Sequence, residues 1–210
     1  MLTLLIFCAV FYYNCVFFII FVCFKPLPME TSIKILDKTF VPFIKEEEIS
    51  AAIEGLADRM NDDFAGVSEE NAPILLCTLN GAVPFTGALL TRLRFPVEMA
   101  AIRVASYLGT ESTGEVRTIL GLEKSVKGRL VIVAEDIVDT GNTIEQLCKT
   151  LREEGAAGVR ICTLLLKPDV YKKNIPLDYV ALQIPNRFIV GFGLDYNGFG
   201  RNTRDIYVLQ

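Results

Sequence analysis

The sequence predicts an α/β fold, a central and mostly parallel sheet flanked by helices. Two observations lead there. After Met29, short apolar, β-branched runs alternate with amphipathic stretches, and strand–helix–strand alternation builds parallel sheets covered on both faces. The chain has 210 residues, enough for one ordinary domain with a proper core and too few for two large ones.

The elements follow in order. Residues 46–60 (EEEISAAIEGLADRM) carry apolar residues at helical spacing, with acids in the first turn where the helix dipole favours them. Residues 73–79 read as a short buried strand, and 82–93 as a helix following Asn80-Gly81. The next strand spans 97–106; residues 107–121 are polar and Gly-rich, with a strand near Thr118. An apolar strand at 129–134 and a helix at 143–154, stopped by Gly155, come next. Strands at 158–166, 178–183, 189–193 and 206–209 complete the domain.

Residues 1–24 are apolar apart from Thr3 and Asn14, a run long enough to cross a bilayer as a helix. A secretory signal would need a basic n-region and a small-x-small cleavage site, and neither is present. We read 1–28 as a leader translated upstream of a natural start at Met29, with the domain spanning 29–210. The alternative is an N-terminal anchor that keeps Lys25 and the remainder on the cytoplasmic side. Membrane contact is thus expected only if residues 1–24 persist in the mature protein.

Composition excludes several chemistries. Histidine is absent, which removes Ser–His–Asp triads, Cys–His pairs and His-based zinc sites together. The formal net charge is −4 with no basic run, so no nucleic-acid partner is expected. None of the six cysteines forms a C-x-x-C pair; a disulfide scaffold is not expected, and a reducing cytoplasm suits the domain.

The chemistry concentrates in residues 131–143 (VIVAEDIVDTGNT), where an apolar strand ends in two adjacent carboxylates, Glu135 and Asp136. The chain then turns through Asp139, Thr140, Gly141, Asn142 and Thr143 into a helix. Ligands of open parallel sheets collect at such strand ends. The turn offers backbone N–H groups, a glycine for close approach and two hydroxyls, which suit a phosphate monoester. The carboxylates upstream would repel that phosphate unless a ribose with bound Mg²⁺ lay between, and magnesium takes a few oxygen ligands while keeping several waters. A plain capped helix, with Asp139 or Thr140 as N-cap, explains one polar residue but not three acids and two threonines around a glycine.

This segment resembles the donor-binding motif of the type I phosphoribosyltransferases, which grip 5-phosphoribosyl 1-pyrophosphate. Resemblance to the hypoxanthine–guanine branch covers most of residues 74–209. It implies that family's fold, with a small hood over the base site, and an Mg²⁺-dependent transfer to a 6-oxopurine. Residues 79–82 (LNGA) resemble the loop that holds pyrophosphate through backbone amides, often around a cis peptide; Asn80, before Gly81, stands where many members have lysine. Ser106 and Tyr107, followed by 111–114 (ESTG), resemble the mobile catalytic lid over the pyrophosphate. The resemblance also assigns Lys167 to the exocyclic purine oxygen, Phe188 to stacking and the Ile189 backbone to the base edge. It assigns Asp195 to Mg²⁺ beside Glu135 and Asp136, Arg201 to pyrophosphate, and Asp139 to the proton on purine N7. Family members form homodimers or homotetramers. A xanthine-preferring enzyme and a non-catalytic, donor-sensing regulator are the alternatives.

Overall fold

The computed structural model describes residues 32–105, 117–120 and 125–210. The leader, Ser106, Tyr107 and residues 111–114 lie outside them. By internal contacts the chain divides into residues 1–31 and 32–210, and the fold below is that of the second unit.

The unit opens with β1 (Ile33–Ile35) and β2 (Lys38–Ile44), then α1 (Glu46–Asp63), β3 (Ile74–Leu79) and α2 (Val83–Leu90). β4 (Glu98–Ala105), β5 (Arg117–Leu120), β6 (Leu130–Val138), α3 (Asn142–Glu153), β7 (Gly158–Leu166) and β8 (Tyr179–Gln183) follow. β9 (Ile189–Val190) and β10 (Ile206–Leu209) close the chain.

Six strands form the central sheet in the order β5-β4-β3-β6-β7-β8. All its pairings are parallel except that of β5 with β4. The expected α/β architecture is therefore present. Apolar clusters on its two faces bury Leu75, Ile132, Ala134 and Leu164 against α1 and α2, and Ile74, Leu76, Val131 and Val133 with Ile144, Leu147 and Leu151 of α3. Period-2 alternation between two buried faces explains why β6 reads as one apolar run.

From β3 the chain crosses through α2 to β4 on one side, and from β6 through α3 to β7 on the other. The sheet's switch point therefore lies between the carboxyl ends of β3 and β6, where open α/β sheets bind ligands.

A second sheet, β1-β2-β10-β9, is wholly antiparallel and is a small hood of the kind the resemblance implied. β1 and β2 are elements the sequence reading lacked. β2 contains Lys38, Thr39 and Pro42, and its pairing with β10 spans more than 160 residues of chain, so no local pattern announces it. The hood is tied to the core by Asp205. Its carboxylate accepts from the Glu46 amide at 2.8 Å and from Lys45 Nζ at 2.7 Å, capping α1 from the bend before β10.

Two boundaries differ from expectation. β6 runs to Val138, so Glu135 and Asp136 lie inside the strand rather than at its end. Parallel partners in β7 continue alongside to Leu166 and satisfy the backbone there whatever the side chains. α3 begins at Asn142 with Gly141 as N-cap, at φ 85° and without a side-chain cap. Neither Asp139 nor Thr140 is consumed as a cap.

Candidate active site

The loops at the carboxyl ends of β3, β6 and β7, three adjacent strands, carry most of the expected site residues. After β3 the Leu79–Asn80 peptide is cis, followed by Gly81. A Cβ at Gly81 would stand 1.7 Å from Oδ2 of Asp136. Only a bare Cα admits that carboxylate. The pyrophosphate-type loop and the acidic pair of β6 therefore meet directly across the switch point.

Glu135 and Asp136 are held in low-dielectric surroundings. Glu135 is buried, and its Oε2 has no hydrogen-bond partner among the described residues. Burial, and then the neighbouring Asp136 carboxylate, hold the Glu135 carboxyl well above the usual range. Asp136 is also raised, chiefly by burial. Hydrogen bonds from Glu135 and from the Ile137 amide, at 2.9 Å, and the Arg201 charge work in the opposite direction. An orphaned acceptor beside a second carboxylate is an arrangement that fits sugar hydroxyls or a hydrated divalent cation.

Asp139, Thr140, Gly141, Asn142 and Thr143 form the turn into α3. Asp139, Thr140 and Asn142 are exposed, and Gly141 is buried. A Cβ on Gly141 would lie 2.6 Å from the Tyr171 ring and 2.8 Å from Cγ of Lys173. Glycine is thus required there for its positive φ and for the packing behind the loop. Lys167, at the end of β7, is 8% exposed, and its ammonium stands 3.1 Å from Asp139 Oδ2. The Asp139 side chain itself is 48% exposed. Burying a lysine's stem while its head meets a solvent-facing carboxylate fixes both groups at the rim.

The hood supplies the remaining groups. Phe188, just before β9, is 47% exposed and lies within aromatic reach of Tyr196 (5.9 Å, edge-on) and Phe40 (6.2 Å). It is not a core residue. Ile189 is buried in β9 opposite Val208. Asp195 forms an ion pair with Arg201 at 2.7 Å and accepts from the Gly198 amide at 2.6 Å. Gly191, Phe192 and Gly193 all have positive φ. A Cβ on Gly193 would meet the Gly81 carbonyl oxygen at 2.0 Å. Hood and pyrophosphate-type loop therefore touch backbone to backbone. Gly193 was not singled out in the sequence, although the Gly-Phe-Gly spacing was visible there. Tyr171 and Lys173 carried no local signal at all.

Two groups of site residues result. Gly81, Asp136, Gly193, Arg201 and Asp195 form one connected set, and Lys167, Asp139 and the turn to Thr143 form another. Among the described residues no cluster of three or more acidic, histidine or cysteine groups forms a metal cage by itself. Magnesium fits such a site, since it takes a few carboxylate oxygens and completes its octahedron with water and substrate phosphates.

A sequence profile of the phosphoribosyl transferase domain matches residues 44–197. The hypoxanthine-guanine phosphoribosyltransferase of Lactococcus lactis is 40% identical over 179 residues, covering 84% of this chain and 95% of that protein. The hypoxanthine-guanine-xanthine phosphoribosyltransferase of Tritrichomonas foetus is 36% identical over 167 residues, 79% and 88% of the two chains. Among solved structures, a hypoxanthine phosphoribosyltransferase of Trypanosoma cruzi superposes with a TM-score of 0.76 at 34% identity, covering 85% of this chain and 95% of the other.

Proposed function

This chain belongs to the phosphoribosyl transferase family, as a purine-salvage enzyme of the hypoxanthine–guanine branch, and on that premise we propose how its residues divide the reaction. The phosphoribosyl group moves from 5-phosphoribosyl 1-pyrophosphate to N9 of hypoxanthine or guanine, giving IMP or GMP and pyrophosphate. The C1′–oxygen bond to pyrophosphate breaks, the N9–C1′ bond forms, and the proton on N7 leaves the base.

The observation that carries the acceptor assignment is the Lys167–Asp139 pair at 3.1 Å. It sets one donor and one acceptor side by side at the mouth of β6 and β7. A 6-oxopurine with a proton on N7 presents the complementary order, an acceptor at O6 next to a donor at N7. Lys167 donates to O6 while Asp139 takes the N7 proton as N9 bonds to carbon. Adenine has an amino group where O6 would be, so two donors would face each other, and a mismatched buried donor is strongly rejected. Phe188 offers its exposed face to the purine ring, and the Ile189 backbone its edge.

The donor lies across the switch point. Amides and hydroxyls of Asp139, Thr140, Gly141, Asn142 and Thr143 hold the 5′-phosphate. Glu135 and Asp136 accept from the ribose hydroxyls, so the orphaned Oε2 gains its partner on binding. Asn80, Gly81 and Arg201 face the pyrophosphate, with Ser106 and Tyr107 as the closing lid. Asp195, together with Glu135 and Asp136 through water, would hold Mg²⁺, which when bound neutralises charge on departing pyrophosphate. Arg201 must leave Asp195 for both roles to operate at once.

Pyrophosphate release measured with hypoxanthine, guanine, xanthine and adenine in turn tests the assignment. Activity with the first two and none with adenine is expected. Adenine as the best substrate would overturn the Lys167–Asp139 reading, and no release with any base would favour the donor-sensing regulator.

A further inference from the structure

The residues of the phosphate turn account for its inner face but not for what stands behind it. Residues 167–173 run alongside residues 138–145 and touch them at Val138, Asp139, Gly141 and Glu145. The Lys167 amide donates to the Val138 carbonyl at 3.0 Å, and its ammonium holds Asp139. The Tyr171 ring fills the space over Gly141, with its hydroxyl on the Ile175 carbonyl. Lys173 passes its Cγ over the same glycine and places its ammonium 2.7 Å from Glu145. The carbonyl of Lys167 accepts from the amides of Val170 and Tyr171, so this run is a folded turn and not a loose loop.

Glu145 needs such a partner. It lies in the first turn of α3, whose N-terminus is the end that would receive the 5′-phosphate. A carboxylate in a first turn stabilises an empty helix, but it repels a phosphate dianion arriving at the same amides. Lys173 is the cation paired with it.

We propose that Lys173 is a positioning residue for the donor: by neutralising Glu145, it keeps the phosphate turn receptive to 5-phosphoribosyl 1-pyrophosphate. This rests on the phosphate assignment made above for residues 139–143. Lys173 acts through Glu145, so its effect falls on donor affinity and not on the chemical step.

The experiment is a charge cycle at positions 173 and 145, read as separate KM and kcat values for donor and hypoxanthine. Lys173→Ala is expected to raise the donor KM about fivefold, the scale of one partly exposed ion pair, with kcat and hypoxanthine KM unchanged. Adding Glu145→Gln to that variant is expected to restore the donor KM, and Lys173→Arg to preserve it. An unchanged donor KM in Lys173→Ala overturns the proposal. So does a raised KM that Glu145→Gln fails to restore, since the ammonium would then be meeting the phosphate itself. Glu145→Gln alone, which keeps the lysine, must leave the donor KM equal or lower; a rise also overturns it. These failures differ from failure of the functional reading, in which the unaltered chain releases no pyrophosphate with any purine.

Discussion

Glu135 and Asp139 stand four residues apart in opposite surroundings. Glu135 points from β6 into the domain, buried and with an unpartnered oxygen. Asp139 stands at the rim of the turn, half-exposed and paired with Lys167. The buried carboxyl is costly to ionise until a ligand reaches it; the exposed one can exchange its partner at the surface. The contrast assigns them different work, since a group that must accept a proton in one step has to be reachable by the base, whereas one that orients sugar hydroxyls gains from being fixed. Exposure separates the acid proposed to meet the purine from the acid proposed to hold the ribose.

The largest effect should come from the exposed member. Asp139→Asn keeps the shape and removes the proton acceptor, and turnover should fall on the order of 10²-fold or more. Pyrophosphate release at saturating substrates measures it. Because the side chain packs against little, the melting temperature should stay close to that of the parent. Unchanged turnover would show that Asp139 and Glu135 do not differ in the way their surroundings suggest.

Phe188 lies on the same side of that divide, exposed and leaning on Tyr196 and Phe40. Phe188→Ala should raise the hypoxanthine KM about tenfold, near the 1–3 kcal/mol of an aromatic platform under a base. Donor KM and melting temperature should hardly move. A large loss of stability instead would make Phe188 a packing residue, which is the more frequent fate of a phenylalanine.

How much of this was legible depended on how local each contact is. β7 and β10 have the bounds that apolar patterning suggests, and the turn 139–143 proposed for the phosphate could be picked out because its residues are contiguous. β6 is longer than its apolar run suggests: Glu135 and Asp136 look like a strand's end, and the β3 ladder does stop at Ala134, whereas the ladder with β7 carries β6 past them to Val138. Of the hood strands that were missed, β2 has its partner β10 at the far end of the chain, and β1 is a three-residue strand paired with β2. The candidate site residues could be named by type, but the contacts that join them could not. Gly81 against Asp136, Gly193 against Gly81, and Lys167 on Asp139 each bring together residues from separate elements. Gly141 could be placed in the turn, yet the Tyr171 and Lys173 wall behind it depends on how residues 167–173 fold.

The smallest effect, and the sharpest test of the buried side, is in stability. Glu135→Gln removes the capacity for charge at an orphaned buried position while keeping size and outline. Turnover should fall, but by less than in Asp139→Asn. The ligand-free protein should become more stable near neutral pH, because the amide puts no charge into that buried position. The pH dependence gives the sign. Burial raises the folded-state pKa of Glu135 well above 4.5, so across that window the folded chain binds more protons than the unfolded one. Its stability must then decline as pH rises from about 4.5 through the raised value. Glu135→Gln should flatten that decline, with chemical denaturation of the ligand-free protein at several pH values as the measurement. If parent and variant lose stability along the same curve, Glu135 is not the strained member of the pair, and the contrast with Asp139 would rest on reach alone.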